Sequence, residues 1–550
     1  MVRLTFYGGI MEIGGNKVLL EDDKGKLFLD FGYPYSRYRN FYEEYLKPRP
    51  GAGLLDLLAM KLLPPLEGIY RDDLETQDLW QQFRQAERYR RLGGIDGVLL
   101  SHAHLDHSGH IAFLKDDIPI YSTATTAFIA KAIQDSGKVD FDQQVSYFNP
   151  TSQEYPTGWK QIAHIASNTA KQQRHFCIAD IKPEVLSPDA EEFWRQGFWE
   201  KTPKQKELIS HPLEEHVRCS FNLRCFPVDH SIPGACAWGI ETSSGWVIYS
   251  GDLRLHGKRG KLTEAFINEA TKLHPKALIL EGTNVDKRTN VAEQEVYESG
   301  YKAIDGSQSL VIADFSARDV DRLLTFLQIA RDTKRKLAIL PKDAYLLKTM
   351  RLLEPQIPDI AQEDALVIYQ ETTASRSPVS WLRKIFEDYS SKIVLAKDVA
   401  SNQGDFILCF SFFDLNELPS IRPRPDSLYV YSSSEPHNEE QERDFWRLHH
   451  WLGHAENGSF KRKANKDVIF QIQGFGLPIK KNGDWEIPDD QRGLHASGHA
   501  CGPDLLKIAR EISPRVLIPV HCEKPEFYLD NLSGTGINVI LPTEGGTIEI

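Results

Sequence analysis

Short apolar runs, each closed by a glycine, an acid or a serine, punctuate the first half of the chain: "LTFY", "KVLLE", "KLFLDFG", "GVLLSH", "IPIYST", "WVIYSGD" and "ALILEGT". Runs of this length with such flanks predict buried strands. Several end on a polar or acidic residue where a loop begins, which is where a sheet protein displays reactive groups. Helices are predicted at Thr125–Gln134 ("TTAFIAKAIQ") and Asp189–Thr202 ("DAEEFWRQGFWEKT"), and two segments, about 33–91 and about 123–218, read as insertions.

From about Asn284 the pattern changes to strand, helix, strand: "SLVIADFS", "RDVDRLLTFLQIARDT", "KLAIL", "DAYLLKTMRLL", "ALVIYQ". Such alternation predicts an α/β domain built on a parallel sheet with helices on both faces, running to about Gly476. The later stretch "GLHASGHACGPDLLKIAREISPRVLIPVHCE" returns to loop, helix and strand, and its terminal histidine belongs by chemistry with the first segment. The expected organisation is therefore one domain made of residues 1–283 and 477–550, with a second domain, 284–476, inserted into it.

Composition narrows this picture only a little. A chain of 550 residues with 41% hydrophobic positions has material for more than one core. A net charge of -12 argues against indiscriminate attraction to nucleic acid, although a local basic cleft is compatible with an acidic exterior. Seven cysteines, without any CxxC pair, suit reduced thiols and a cytoplasmic location rather than a disulfide framework. No signal peptide and no apolar run long enough to span a membrane is read from the sequence.

Candidate chemistry concentrates in Ser101–His110, "SHAHLDHSGH", directly after the strand "GVLL". In extended backbone His102 and His104 face one side, while Asp106 and His107 can turn toward a neighbouring position. Imidazole and carboxylate suit zinc, with manganese as the alternative, and one such loop can serve two adjacent divalent ions. Further ligands should then lie at other strand ends, and they do: His230 in "CFPVDHSIPGA", Asp252 in "WVIYSGDLR" and His521 in "RVLIPVHCE". Asp30 in "KLFLDFG" holds an equivalent place, suited to fixing a ligand from behind. His110 is read as structuring the loop rather than as a ligand.

In order, Asp30, His102, His104, Asp106, His107, His230 and Asp252 match the motifs of the metallo-β-lactamase superfamily. Glu281 in "LILEGTN", His499 in "HASGHA" and His521 in "PVHCE" resemble the three further motifs of its β-CASP nucleases, and the start "YGGIMEIGGN" is similar to that of the ribonuclease J group. The resemblance implies a metallo-β-lactamase αββα sandwich interrupted by a β-CASP domain. It implies His102, His104 and His230 on one metal, Asp106, His107 and His521 on the other, Asp252 bridging them, and His499, oriented by Glu281, as general acid. Two divalent ions could then activate water for in-line hydrolysis of a phosphodiester, with His499 protonating the leaving oxygen. Asp106, Asp252, Glu281 and His499 are accordingly the catalytic candidates.

Substrate phosphates need donors beside the metals. His495 and Ser497 lie on the glycine-flanked loop before a helix, where unpaired N–H groups favour anions. Ser316 and Arg318 in "DFSARD" resemble the phosphate-contacting segment of ribonuclease J, although Ser316 can equally cap the following helix. The stretch "YPYSRYRNFYEEY" interleaves aromatics with arginines; it reads either as a stacking surface for single-stranded nucleic acid or as an insertion packed on the sandwich. Arg254 in "RLHGKRGK" could line a cleft, the "KRK" from Lys334 and the "KRKANK" from Lys461 read as solvated, and His449, His450 and His454 read as an exposed helix face.

The leading expectation is a metal-dependent ribonuclease acting on single-stranded RNA. Its alternatives are a DNA-processing β-CASP nuclease, a non-catalytic nucleic-acid-binding or scaffold subunit, and a small-molecule hydrolase. Filled ligand positions disfavour the scaffold, and Glu281 and His499 disfavour the small-molecule enzyme. Ribonuclease J proteins carry a further C-terminal domain that assists assembly. This chain is expected to stop at "GGTIEI" without one, which leaves a homo-oligomer or a protein partner open.

Overall fold

The computed structural model describes every residue except 44, 138–139, 152–169, 198–207, 216–218, 317, 373–379, 435–438, 455–469 and 482–483, and gives the backbone alone at 439–441 and 484. Two compact units emerge: Met1–Leu255 with Arg259–Thr289 and Gly498–Ile550, and His256–Lys258 with Asn290–Ser497.

The first unit is built on two mixed sheets. In the eight-stranded one, Arg3–Gly8, Lys17–Asp22 and Gly25–Leu29 form an antiparallel meander, and Gly25–Leu29 then pairs in parallel with Gly97–Leu99, the strand that leads into the histidine loop. The six-stranded sheet runs Asn222–Pro227, Cys236–Thr242, Gly245–Tyr249, Ala277–Leu280, Val516–Pro519, Asn538–Val539. Its fifth strand, Val516–Pro519, comes from the far side of the second unit in sequence and pairs in parallel with Ala277–Leu280.

Strand periodicity sets the layers. Val247, Tyr249, Ala277, Ile279 and Ile518 point into one core with Leu4, Phe6, Leu20, Leu29 and Leu99 of the other sheet. Ile248, Leu278 and Leu517 alternate to the opposite face, against helices Gly260–Lys272 and Gly502–Ile512 through Phe266, Ile267, Leu505 and Ile508. The seven apolar runs read from the sequence all form strands. The expected helix at 125–134 spans Ala124–Ser136, and the one expected at 189–202 is Pro188–Arg195, its remainder reaching residues outside those described.

The second unit carries a seven-stranded sheet, in order Ile393–Val394, Leu366–Tyr369, Lys336–Ile339, Phe406–Cys409, Val311–Asp314, Leu428–Tyr431, Gln473–Phe475, with every pairing parallel. Val311–Asp314, Leu366–Tyr369 and Phe406–Cys409 are buried throughout, as a sheet covered on both faces requires.

Candidate metal centre

Strand Gly97–Leu99 runs into a loop that ends at His104, whose own backbone is extended and which precedes the short helix Leu105–Ser108. That change from extended to helical backbone turns Asp106 and His107 away from the side shared by His102 and His104. Two glycines let the neighbouring chain lie against this turn: a Cβ on Gly32 would fall 1.7 Å from the Asp106 carbonyl oxygen, and one on Gly14 (φ 81°) would fall 2.7 Å from Asp106 Cβ.

Three imidazoles converge first. His102 Nε2 lies 3.1 Å from His104 Nδ1, which lies 3.2 Å from His230 Nε2. Nitrogens around one tetrahedral zinc stand about 3.3 Å apart, so the trio fits one ion. Beside it, His521 Nε2 is 3.3 Å and His107 Nε2 3.7 Å from Asp106 Oδ2. Asp252 Oδ2 faces both groups, at 3.7 Å from His102 Nε2, 3.8 Å from His230 Nε2, 3.1 Å from His107 Nε2 and 3.8 Å from His521 Nε2.

The outward nitrogens are committed, which leaves the inward ones to a ligand. His107 Nδ1 donates to Asp30 Oδ2 at 2.6 Å, His230 Nδ1 to the Gly498 carbonyl at 2.6 Å, and His102 Nδ1 pairs with Ser101 Oγ at 3.0 Å. His521 Nδ1 pairs with Thr283 Oγ1 at 2.8 Å. Asp30, fully buried, also accepts from Ser101 N (2.7 Å), Ser101 Oγ (2.8 Å) and Tyr249 Oη (2.6 Å), and Tyr249 Oη accepts from Asn16 Nδ2 (3.0 Å). Asp30 and His521 both hold left-handed backbone, φ 53° and 51°, where each strand gives way to its loop.

Charge tells the same story. Burial holds His102 and His230 well below the usual imidazole range, so both are neutral and offer lone pairs. Burial would lower His107 as well, but Asp252, Asp106 and Asp30 outweigh it and raise that group well above the usual range. Against burial, His107 and His521 hold the carboxyls of Asp106 and Asp252 low. The acids thus favour positive charge at this point. Asp252 Oδ1 and His107 Nε2 are buried without a hydrogen bond, an arrangement that divalent cations complete.

Glu281 has two tasks. Its Oε1 accepts the Leu253 N–H at 2.9 Å, fixing the loop of Asp252, and its Oε2 accepts from His499 Nδ1 at 2.9 Å. Burial pulls His499 down, but Glu281 and Asp252 prevail and lift it to about 9. With its side chain 19% exposed and Nδ1 bonded to Glu281, His499 is placed to exchange a proton.

The other sequence-based candidates fare differently. His110 is fully buried between Tyr33 and Phe113, its ring centroid 5.1 and 5.5 Å from theirs, as a packing residue of the loop. Ser316, Arg318, His495 and Ser497 belong to the second unit. Ser316 is exposed and its Oγ accepts the Arg318 N–H at 3.4 Å, while the helix Val320–Asp332 is capped by Asp319, which sits at the helix start. Tyr33, Tyr35, Tyr38 and Tyr42 pack on one another at 4.7–4.9 Å, and Arg37 is held by Glu12 and Glu544.

Three expectations are overturned. Arg254, expected in a cleft, is fully buried on Asp229; Arg335 of "KRK" is buried on the carbonyls of Ser307, Ser309 and Phe406; and His449 and His454, expected on an exposed face, are buried and bonded to each other at 2.9 Å, only His450 being exposed. The "KRKANK" segment lies outside the described residues. Sequence reasoning missed Ser101, Tyr249, Asn16, Thr283 and the Gly498 carbonyl, which orient the imidazoles. The signal for Tyr249 was its inward phase with Val247, since a tyrosine buried at a strand end needs an acceptor.

A two-sheet sandwich with this histidine and aspartate cluster at its strand ends, accompanied by a parallel-sheet unit, defines a metallo-hydrolase of the metallo-β-lactamase fold carrying a β-CASP domain. The chain is similar to the β-CASP ribonuclease J proteins of that superfamily. Residues 491–542 match the Zn-dependent metallo-hydrolase RNA specificity domain. Ribonuclease J of Mycolicibacterium smegmatis is 22% identical over 528 residues, covering 94% of this chain and 68% of the relative. Ribonuclease J of Pyrococcus abyssi is 20% identical over 546 residues, covering 95% and 90%. A crystal structure of a protein of unknown function from Enterococcus faecalis shares the fold, with a TM-score of 0.61 at 20% identity over 100% of this chain and 99% of the other. Among the described residues no helix is long and apolar enough to cross a membrane.

Proposed function

We propose that this protein is a metal-dependent ribonuclease that hydrolyses phosphodiester bonds of single-stranded RNA. The observation that carries the reading is the convergence of His102, His104, Asp106, His107, His230, Asp252 and His521 beside the Glu281–His499 pair. His102, His104 and His230 would hold one ion, and Asp106, His107 and His521 a second, with Asp252 between them. Zinc suits this set of imidazole and carboxylate donors, and manganese is the alternative. Ions held there supply a lowered pKa for water and countercharge for the phosphodiester.

The remaining steps fall to the chain's own residues. His499 Nε2 gives its proton to the departing ribose oxygen as the P–O bond breaks, and Glu281 holds the ring in the tautomer and orientation that this needs. Asp30, through His107, and the Gly498 carbonyl, through His230, keep the imidazoles from rotating. RNA as substrate is supported by the match of residues 491–542 and by the relatives' activity. Ser316, Arg318, His495 and Ser497 are proposed to meet substrate phosphates.

The test is incubation of metal-loaded protein with end-labelled RNA and DNA, each bearing a 5′-hydroxyl or a 5′-monophosphate, beside an Asp106→Ala control. Cleavage of RNA that disappears in the control is expected. Cleavage of DNA alone moves the protein to the DNA-processing reading, and inertness toward every polymer refutes nucleolysis.

A further inference from the structure

Asp229 and Arg254 form an ion pair with both side chains wholly buried, Arg254 Nε standing 3.2 Å from Asp229 Oδ1. Their backbones also meet: Arg254 N donates to the Asp229 carbonyl at 2.8 Å, making an isolated antiparallel bridge. Thr263, on helix Gly260–Lys272, joins both through one hydroxyl, its Oγ1 accepting the Asp229 N–H at 2.9 Å and donating to the Arg254 carbonyl at 2.8 Å.

The placement matters because Asp229 immediately precedes His230, and Arg254 follows Asp252 by two residues. The strands from which these two loops issue, Asn222–Pro227 and Gly245–Tyr249, are not neighbours in the sheet, since Cys236–Thr242 lies between them. Beyond the single Asp229–Arg254 bridge, no ladder among the described residues sets one loop against the other. We infer that the Asp229–Arg254 ion pair is a latch that fixes the His230 loop against the Asp252 loop, and so sets how far the histidine trio stands from the carboxylate facing both groups.

Two buried charges are a poor way to gain stability alone, because a well-packed apolar pair serves as well. What a buried ion pair adds is that each charge is satisfied only against the other, which favours one spacing of the two loops. Asp229 and Arg254 are thus positioning residues, acting through the backbone of His230 and Asp252. The inference rests on the metal-centre reading of the cluster and not on nuclease activity.

The test uses the full chain, stripped of metal and retitrated with zinc against a chromophoric chelator and with cobalt(II) by visible absorption, while the thermal midpoint of the metal-free form is recorded. In Asp229→Leu/Arg254→Met together, both charges leave at once, so neither is stranded by loss of the other and the midpoint is expected to stay near that of the wild type. Zinc affinity is expected to fall roughly 10- to 100-fold, as for other groups that orient metal ligands, with a changed cobalt spectrum. Arg254→Lys keeps the pair and should bind zinc within about threefold of the wild type, the rescue that a purely structural account does not require. Should either single neutralisation fail to fold, these two variants still decide the matter. A double variant with wild-type affinity and spectrum overturns the latch, as does an Arg254→Lys protein as impaired as the double. A wild-type chain that takes up no zinc overturns the latch together with the metal centre. One that binds zinc normally but leaves RNA intact counts only against the ribonuclease reading.

Discussion

Tyr249→Phe removes one oxygen from the base of the site and tests whether the hydrogen-bonded chain Asn16–Tyr249–Asp30–His107 supports it. Two bonds disappear: Tyr249 Oη to Asp30 Oδ2 at 2.6 Å, and Asn16 Nδ2 to Tyr249 Oη at 3.0 Å. Asp30 keeps the Ser101 amide, the Ser101 hydroxyl and His107 Nδ1, whereas the Asn16 amide faces a ring edge. A hydrogen bond to a charged group contributes about 1.5–3 kcal/mol, and a stranded buried donor adds on the order of 1 kcal/mol. All of these side chains are buried, and the space left by one oxygen is too small for water. The expected cost is therefore about 2–4 kcal/mol, confined to the first unit.

Hydrogen exchange of metal-free protein, read by mass spectrometry on peptides covering Lys17–Leu29 and Gly97–His107, reports this directly. At about 1.4 kcal/mol per tenfold, amides exchanging through opening of this sheet should speed up roughly 30- to 700-fold, while peptides around Val311–Asp314 in the second unit remain unchanged. Acceleration below about threefold would refute the reasoning, since Asp30 would then not depend on the hydroxyl.

His499→Ala should lower the rate of RNA hydrolysis by roughly 10²- to 10⁴-fold at unchanged zinc content; an unaltered rate assigns the proton to another group. Burial lifts the Asp314 carboxyl to about 7 despite the hydrogen bond from Tyr429. A group raised above its unfolded value of about 3.9 leaves stability intact below that pH and removes it as pH rises through about 7. Asp314→Asn should therefore stabilise the second unit by on the order of 1–4 kcal/mol at pH 8 and hardly at all near pH 4, measured by denaturant unfolding at both; equal effects at the two pH values contradict this. Chelation should lower the thermal midpoint and zinc should restore it, because a ligand at about 1,000 times its Kd contributes about 4 kcal/mol; an unmoved midpoint argues against any metal bound in the native state.

The strands and the ligands at their ends were legible because a buried strand must be apolar and short, and its terminal Asp or His stands out against it. Partners between distant residues were not. Nothing local to "RLHGKRGK" separates Arg254, sealed on Asp229, from Lys258, which is exposed, since a charged side chain is buried only where tertiary structure supplies its counterion. His449 illustrates a signal misread: it lies beside Leu448 in a helix whose Phe445, Leu448 and Leu452 recur at helical spacing and are buried, so the helix phase already placed it inward. Ser316 lost the capping role to Asp319 because a cap acts on the N–H groups immediately after it, and Ser316 stands three positions before Asp319.

The parallel pairing of Ala277–Leu280 with Val516–Pro519 bears on the order of events as the chain is made. His521 N donates to the Gly9 carbonyl, and the Gly282 N–H reaches the His521 carbonyl, so loops synthesised early wait for a histidine that emerges late. At typical elongation rates the roughly 240 residues from Glu281 to His521 take on the order of 10–50 s to appear. Throughout that interval the growing polypeptide lacks His521, and for most of it His499 as well. A site assembled in this way is incomplete until His521 has emerged, so the earlier part of synthesis passes without it.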